Sequence, residues 1–368
     1  MIQIAYKEFL GNSPGWFKMS ILVFLVLCFP LKLVVGTTVL GWMFLGMFIL
    51  TLAMALKCYP LQSGGLLGIG ILALGLTSPE TVWHEIQANL GVLALLIFMV
   101  SFIYFMKPLL TFVFAKIIMN VRSKWMLSLM FSVMAAFLSA FLDALTVTAV
   151  LIAVFVALYG VYEKIHSATN TDIDHDGVED REELSGDVLE DFRAFIRGLV
   201  MHGAIGTALG GVTTMVGEPQ NLLIADKMDW TFIEFAIAMS HVTIPAVIAG
   251  FITCVVLELT GVLGYGAKLD PKVRAILKDY IQEQDEKRTP REVYALIVQS
   301  ACGLLLVIGL ALHIMEVGLI GLCLLVAVTA LTGINEEHQI GRAFEESLPF
   351  VSLLCIFFVV VGMIHDLH

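Results

Sequence analysis

Long apolar runs recur along this chain of 368 residues, and they constrain its fold more than any other feature. As a helix, a run of about 20 apolar residues crosses the ~30 Å hydrocarbon core of a bilayer. Hydrophobic residues make up 59% of the chain and charged residues 14%, and the mean hydropathy is +0.91. A soluble domain is nearer half apolar and a quarter charged. The sequence therefore predicts an all-α polytopic membrane protein whose helices are solvated by lipid.

Short polar stretches separate the predicted membrane segments, and two longer ones lie at 163–197 and 259–292. The segments are 19–36, 39–56, 61–77, 89–106, 125–141, 144–162, 198–225, 231–258, 293–314, 316–332 and 348–364. Cytoplasmic loops of membrane proteins are enriched in lysine and arginine. With a cytoplasmic N-terminus, and with 125–162 as a hairpin that returns to its side of entry, 19 of the 21 Lys and Arg residues lie inside. Both longer stretches are then cytoplasmic loops.

The net charge of −11 describes one loop and does not indicate a cationic partner, because much of the acid lies between Glu163 and Asp191. The sequence also lacks the basic, aromatic-interleaved patch that is typical of nucleic-acid binding. The predicted partner is the lipid bilayer, with assembly into a homo-oligomer left open.

Asp143 is the ionisable residue that most needs an explanation, because it stands between two apolar segments of a membrane protein. A charged side chain inside a membrane costs about 2.5–3.5 kcal/mol on insertion scales. If the hairpin is re-entrant, Asp143 lies at its tip, deep in the membrane, where burial favours the protonated carboxyl and a nearby cation favours the carboxylate. Such a group can hold either a proton or a sodium ion. The alternative is a full-length hairpin with Asp143 in a polar turn at the outer surface.

The segment from Gly206 to Asn221 contains a predicted helix break near Gly217-Glu-Pro219. Proline lacks an N–H and disfavours helix at the residue before it, and glycine lowers helix propensity further. In lipid, an irregular stretch is tolerated only where it lines a cavity or is buried in protein, and broken helices in transporters coordinate cations. A simple proline kink is the alternative. His202, just upstream, is expected to be a hydrogen-bonded packing residue, with proton relay as its alternative.

Several runs of sequence resemble the NhaB sodium/proton antiporters of Gram-negative bacteria, within the Ion Transporter superfamily. They are Asn12-Ser-Pro-Gly-Trp16, Thr51-Leu-Ala-Met-Ala-Leu-Lys-Cys-Tyr-Pro60, Phe137-Leu-Ser-Ala-Phe-Leu-Asp-Ala-Leu-Thr146, Met215-Val-Gly-Glu-Pro-Gln-Asn221, Glu316-Val-Gly-Leu-Ile-Gly321 and Glu345-Glu-Ser-Leu-Pro349. The resemblance extends over the whole sequence. It implies an inner-membrane antiporter with a re-entrant hairpin and a broken helix at the ion site, in which Asp143 matches the key carboxylate of the family.

The resemblance also implies an inverted-repeat organisation. We expect N-terminal helices in 1–60, a first repeat in 61–258, a cytoplasmic loop in 259–292 and the start of a second repeat in 293–368. The first repeat contains the hairpin 123–162, the acidic cytoplasmic loop 163–197 and the broken helix 198–225. Members of that family continue with a second, inverted hairpin and broken helix. We therefore expect the second repeat to be incomplete and the protein to be truncated at its C-terminus.

An acidic stretch from Asp172 to Glu183 matches the calcium-loop pattern D-x-D-x-D-G-x₅-E. Its predicted metal ligands are Asp172, Asp174, Asp176, Asp180 and Glu183. Against calcium binding, the eighth position carries Glu179 where an apolar residue is usual, and the sequence has no second, paired loop. The alternative is a solvated acidic loop without a bound metal.

The sequence thus predicts secondary active exchange of Na⁺ for H⁺, without an enzymatic reaction and without a cofactor other than the calcium considered above. The predicted ion- and proton-binding residues are Ser139, Asp143, Thr146, Thr214, Gly217, Glu218, Gln220 and Asn221. Sodium-coupled uptake of a carboxylate on the same fold is one alternative, although a carboxylate substrate would be repelled by Asp143. A non-transporting, calcium-responsive membrane protein is the other.

Overall fold

A computed structural model describes residues 2–55, 57–121, 123–142, 144–171 and 186–367, and every regular element in these ranges is helical. The α-helices are α1 (Ile2–Glu8), α2 (Gly15–Ala53), α3 (Pro60–Ala73), α4 (Pro79–Ala88), α5 (Leu90–Asn120), α6 (Lys124–Ser139), α7 (Ala144–Thr171), α8 (Gly186–Gly211), α9 (Pro219–Met228), α10 (Phe232–Thr260), α11 (Pro271–Glu286), α12 (Pro290–Ala311), α13 (Val317–Thr332) and α14 (Glu337–Leu367), with a 3₁₀ turn at Val262–Gly264.

Five of these helices are long and apolar enough to cross a bilayer, judged by length and composition in the described part of the protein. They are α2, α5, α10, α12 and α14, and shorter apolar helices lie at Pro60–Ala73, Lys124–Ser139, Thr146–Ala157 and Val317–Thr332. The predicted fold class, an all-α polytopic membrane protein, is therefore confirmed. The inverted repeat and the domain boundaries inferred from the sequence stay predictions.

The protein divides into two compact units, of which the first comprises residues 1–97 and 344–368. Its longest helix, α2, is folded back on itself at Gly36, whose φ of 79° is outside the helical region. The rings of Phe24 and Phe44, 20 residues apart in sequence, have centroids 4.9 Å apart. In a straight helix such residues would be separated by about 30 Å. Thus α2 consists of two packed arms, in agreement with the predicted segments 19–36 and 39–56.

The second unit, residues 98–343, is organised around α6 and α8. A Cβ atom added to Gly206 would lie 2.3 Å from the carbonyl oxygen of Ser132, and one added to Gly210 would lie 1.9 Å from that of Ala136. Only glycine allows two helix backbones to approach this closely. Because both members of the second pair lie four residues beyond those of the first, α6 and α8 run side by side in the same direction.

Helix α10 packs on this pair and runs the opposite way. Gly250 lies against the side chain of Leu209, near the end of α8, whereas Glu258, eight residues later, contacts His202. The start of α6 at Lys124, the end of α10 at Glu258 and the part of α8 around His202 therefore meet. Just before the start of α6, Arg274 of α11 donates a hydrogen bond to the carbonyl of Val121, 3.0 Å away.

The two predicted cytoplasmic loops contain more helix than the hydropathy pattern suggested. In the first, α7 continues to Thr171 and α8 begins at Gly186, and in the second α11 occupies Pro271–Glu286. Hydropathy identifies the part of a helix that lies in lipid, but polar residues with good helix propensity continue the same hydrogen-bonding pattern into water. The predicted segment 144–162 is thus the apolar part of a longer helix, and the segment 198–225 begins within one.

Candidate functional site

The helix break predicted near Pro219 is present. Helix α8 ends at Gly211 and α9 begins at Pro219, with Glu218 in extended conformation as its N-cap (φ −141°, ψ 132°). Proline suits the first position of a helix because the N–H it lacks would have no partner there. The break leaves seven residues, 212–218, outside α-helix in the middle of an apolar segment.

Two polar side chains bind the backbone that the break releases. The side-chain NH₂ group of Asn221 donates hydrogen bonds to the backbone carbonyls of Gly211 and Thr214, at 3.1 and 2.9 Å. The Thr214 hydroxyl donates to the carbonyl of Ala140 and accepts from the amide of Gly217, 3.2 Å away. Both partners of the Asn221 amide are acceptors, so its NH₂ group faces them and its oxygen is the atom left for an ion.

The broken segment lies directly against the end of α6. A Cβ atom on Gly217 would lie 2.5 Å from the carbonyl oxygen of Ser139 and 2.6 Å from that of Gly211. The hydroxyl of Ser139 is buried and makes no hydrogen bond within the described ranges. Carbonyl oxygens at the ends of α6 and α8 thus converge on one place, together with a serine hydroxyl that is available to a ligand.

The remaining predicted site residues lie around this place or outside the description. Glu218 is half-buried, and its carboxylate accepts a hydrogen bond from Gln220 at 3.4 Å. Thr146 is buried in the first turn of α7. Asp143 lies outside the described residues, between Leu142 and the start of α7 at Ala144. The structure therefore brings together Ser139, Thr214, Gly217, Glu218, Gln220 and Asn221.

The predicted calcium ligands, Asp172, Asp174, Asp176, Asp180 and Glu183, all lie outside the described residues. Within the residues that are described, three or more His, Cys, Asp and Glu side chains nowhere form a group suited to a metal ion. Calcium binding by the acidic loop stays a prediction.

A second polar cluster, which the sequence did not predict, is centred on Glu258 of α10 and contacts the start of α6 and the part of α8 around His202. One carboxylate oxygen, Oε1, lies 2.8 Å from the Ser128 hydroxyl that donates to it, 3.3 Å from Lys124 Nζ and 3.0 Å from His202 Nε2. The other, Oε2, accepts from the amide of Gly266 at 3.2 Å. The side chains of Glu258 and His202 are 0% and 1% exposed, so both are buried.

One signal in the sequence could have revealed this cluster. Lys124 opens α6, and Glu258 lies in the last turn of α10. The helix dipole disfavours a cation at an N-terminus and an anion at a C-terminus. A lysine at the start of one apolar helix and a glutamate at the end of another indicate that the two opposite charges pair with each other. That Lys124 and Glu258 do meet is shown only by the packing of α6 on α10.

The geometry around the break can hold a small cation. Two helices, α6 and α8, present the negative ends of their dipoles, and two others, α7 and α9, begin beside them. An unwound membrane helix that presents carbonyls and oxygen-bearing side chains is the ion-binding arrangement of secondary transporters. The fold and the site together define a secondary active transporter.

Comparison with known proteins specifies which transporter. The family model described as "Bacterial Na+/H+ antiporter B (NhaB)" matches residues 1–368. The chain is 54% identical over 366 residues to the Na(+)/H(+) antiporter NhaB of Alteromonas mediterranea, covering 100% of this chain and 70% of that protein. For the NhaB proteins of Teredinibacter turnerae and Shewanella denitrificans the identities are 54% and 55%, over 98% and 99% of this chain and 72% and 69% of theirs. The chain belongs to the NhaB family, and it is a Na⁺/H⁺ antiporter.

Thr214 and its neighbour Thr213 provide a matched test of the hydrogen bonds at the break. The Thr214 hydroxyl connects the broken segment to α6, whereas the Thr213 hydroxyl donates only within its own turn, to Gly210 at 2.6 Å. Thr214→Val keeps the shape of the side chain but removes the hydroxyl that binds the Ala140 carbonyl and the Gly217 backbone amide. We expect the apparent Na⁺ affinity to fall about tenfold, the equivalent of roughly 1.4 kcal/mol. Thr213→Val should change it by less than about twofold.

The measurement is the Na⁺ concentration that half-saturates collapse of a pH gradient in everted vesicles. Equal Na⁺ affinities for Thr214→Val and Thr213→Val would mean that the hydrogen bond between the broken segment and α6 does not contribute to Na⁺ binding.

Proposed function

We propose that Na⁺ and H⁺ compete for a single carboxylate, Asp143, beside the broken helix. The backbone just before Asp143 is bound to the broken segment, and a helix begins just after it. Three residues before it, the Ala140 carbonyl accepts the Thr214 hydroxyl, and immediately after it Ala144 begins α7. This anchoring to the broken segment is the observation that carries the proposal. A carboxylate so placed can hold a proton or balance the charge of a sodium ion, and either ion excludes the other.

Oxygen atoms for sodium are available from the surrounding backbone and side chains. Sodium, like calcium and magnesium, is a hard cation that prefers oxygen ligands. The buried Ser139 hydroxyl has no partner within the described ranges, and the carbonyl of Ser139 faces Gly217. Glu218, at the start of α9, brings a second carboxylate to the same place. We assign Glu218 to sodium coordination and Asp143 to carrying either ion, with Thr146, Gln220 and Asn221 around them.

Exchange follows from this competition if the site opens to one side of the membrane at a time, as in secondary transporters. On the cytoplasmic side sodium displaces the proton from Asp143. After the change of access, a proton from outside displaces sodium, which leaves the cell. The reaction makes and breaks no covalent bond except that between the proton and the carboxylate.

The hairpin itself supports a site deep in the membrane. Helix α6 has 16 residues, a length of about 24 Å, which is less than the ~30 Å hydrocarbon core. A short apolar helix that ends against a broken helix suits a re-entrant hairpin whose tip lies within the membrane. The proposal of a re-entrant hairpin, with Asp143 away from the outer surface, is supported by this short length.

We propose the bacterial inner membrane as the location, with the N-terminus in the cytoplasm. The distribution of Lys and Arg supports this orientation, and so does the packing. Lys124 at the start of α6 contacts Glu258 at the end of α10, and Arg274 of α11 reaches Val121 just before α6, as expected if the residues before α6 and the stretch 259–292 are on the same side.

The two alternative functions have less support. The full-length match to sodium/proton antiporters does not favour uptake of a carboxylate, and Asp143 would repel such a substrate. Calcium response depends on the stretch from Asp172 to Glu183, which lies outside the described residues.

Asp143→Asn tests the proposal directly. Asparagine keeps the volume and one carbonyl oxygen but can neither carry negative charge nor take up a proton. Sodium loses its counter-charge and the proton loses its carrier, so we expect exchange to fall to background at every pH. Asp143→Glu should retain part of the activity with altered Na⁺ affinity. Glu218→Gln should lower Na⁺ affinity more than maximal rate. The measurement is Na⁺-induced collapse of a pH gradient in proteoliposomes across a pH series.

Asp226→Asn is the matched control, because Asp226 is exposed on α9 at some distance along the sequence from the break. It should exchange at the wild-type rate. Near-normal exchange by a folded Asp143→Asn protein would exclude Asp143 as the carrier and place it in a surface turn.

The orientation is tested by two glutamine-to-cysteine substitutions after the six native cysteines are replaced. Gln282 is exposed on α11 in the predicted cytoplasmic loop, and Gln87 is exposed on α4 in a predicted external one. A membrane-impermeant maleimide added outside intact cells should label Gln87→Cys and not Gln282→Cys. The reverse pattern would invert the topology.

A further inference from the structure

The cluster around Glu258 contains a titratable group that the exchange site does not use. A neutral imidazole carries one N–H and a protonated one carries two. His202 Nε2 lies 3.0 Å from Glu258 Oε1, but it makes no aligned hydrogen bond within the described ranges. With a neutral His202, the charges of Lys124 and Glu258 cancel. With a protonated one, the cluster gains a second cation for the same carboxylate.

The charged and titratable groups around His202 come from α10, α6, the segment after α10 and α8 itself, whereas α7 places the apolar Leu151 beside the neighbouring Gly203. Helix α10 contributes Glu258, with Cys254 close to it, and helix α6 contributes Lys124, whose Nζ also lies 4.5 Å from the ring centroid of Phe195. The segment after α10 contributes Tyr265, whose ring centroid is 4.8 Å from that of His202. Arg197, on α8 itself, reaches the same segment at Gly264. Glu258 is the nearest of these groups and the one anion among the described neighbours.

This cluster and the proposed ion site lie on the same pair of helices. Lys124 and Ser128 lie in the first two turns of α6, and Ser139 ends that helix beside the break. His202 lies on α8, which leads to Gly211 at the break. The glycine contacts at Gly206 and Gly210 lock the two helices together between these ends. A change in the interaction between Glu258 and His202 therefore affects α8 and, through the close glycine contacts, α6, and these two helices carry the proposed ion site.

We propose that His202 and Glu258 form a second proton-binding site, separate from the proposed ion site. When a proton occupies this site, it holds α8 to α10, and it thereby sets the acid limit of exchange, the pH below which the antiporter slows. Imidazole titrates near neutral pH, which makes it suited to this role. A proton on His202 adds an ion pair between α8 and α10 in a place without water, where opposite charges interact strongly. It stabilises the packing seen here against any arrangement in which α8 leaves α10. Exchange requires the protein to change its access, so this ion pair slows it at acid pH.

Two substitutions should move the acid limit in opposite directions. His202→Gln removes the titrating cation, so exchange should extend to lower pH, with the acid midpoint displaced by about one pH unit, the size of effect expected from one buried charge. Lys124→Gln removes the other cation that contacts Glu258, so a proton on His202 stabilises the contact between α8 and α10 more than it does in the wild-type protein. The acid midpoint of this variant should rise by a similar amount. A loss of packing alone would not give shifts of opposite sign.

The measurement is the pH dependence of Na⁺-induced proton flux in proteoliposomes, with His241→Gln as the matched control. His241 is exposed on α10, and its replacement should leave the profile unchanged. Thermal unfolding in detergent shows which variants are folded, and His202→Asn replaces His202→Gln if the latter is not. Full exchange at alkaline pH in the shifted variants shows that the ion site is intact.

The inference depends on the proposed function only in placing the ion site on α6 and α8, and the two fail differently. A wrong ion site would appear as exchange by Asp143→Asn at all pH values. An unshifted acid midpoint in a folded His202 variant, or shifts of the same sign in the His202 and Lys124 variants, would overturn the second proton site.

Discussion

The rest of this structure depends on the requirement that backbone N–H and C=O groups inside a membrane find partners within the protein. Residues 212–218 leave the α-helix in an apolar segment and lose the hydrogen bonds that a helix supplies. Asn221 and Thr214 replace some of them, with the Asn221 amide reaching Gly211 and the Thr214 hydroxyl reaching Ala140. The carbonyls that remain at the two helix ends are the polar groups that a membrane-spanning protein can offer to an ion.

Supporting the break requires α6 and α8 to be very close, and two glycines provide this proximity. Side chains at Gly206 and Gly210 would collide with the backbone of α6. The close contact has a second consequence, since the same two helices also carry Lys124, at the start of α6, and His202, within α8, and both of these side chains contact Glu258 of α10. A buried cluster of charges costs desolvation energy and is weak evidence for stability alone. Its contact with the two helices that carry the proposed ion site is the reason for assigning it a role in exchange.

Much of this could be predicted from the sequence, because hydropathy and backbone chemistry are local. The apolar runs indicated the helices, and Gly217 with Pro219 indicated the break, since each acts through its own backbone. Two packed arms in α2 followed from the segments on either side of Gly36. The importance of Glu258 could not be predicted in this way, because its partners come from two other helices, α6 and α8, and from the segment after α10, and they meet only through the packing of these elements. Likewise, the run from Gly217 to Asn221 suggested Asn221 as an ion ligand. It did not indicate that the side-chain NH₂ group of Asn221 binds the backbone carbonyls released by the break. Helix lengths were underestimated where polar residues continue a helix beyond the lipid.

The central claim is that sodium and a proton exclude each other at one carboxylate beside the break. The most direct test is to add Na⁺ to the purified protein in weakly buffered detergent solution and to record proton release with a pH indicator. The account predicts that Na⁺ binding releases protons at acid and neutral pH, that choline produces no release, and that the release falls to zero as the carboxyl loses its proton at higher pH. Saturable Na⁺ binding at neutral pH without any release of protons would contradict it.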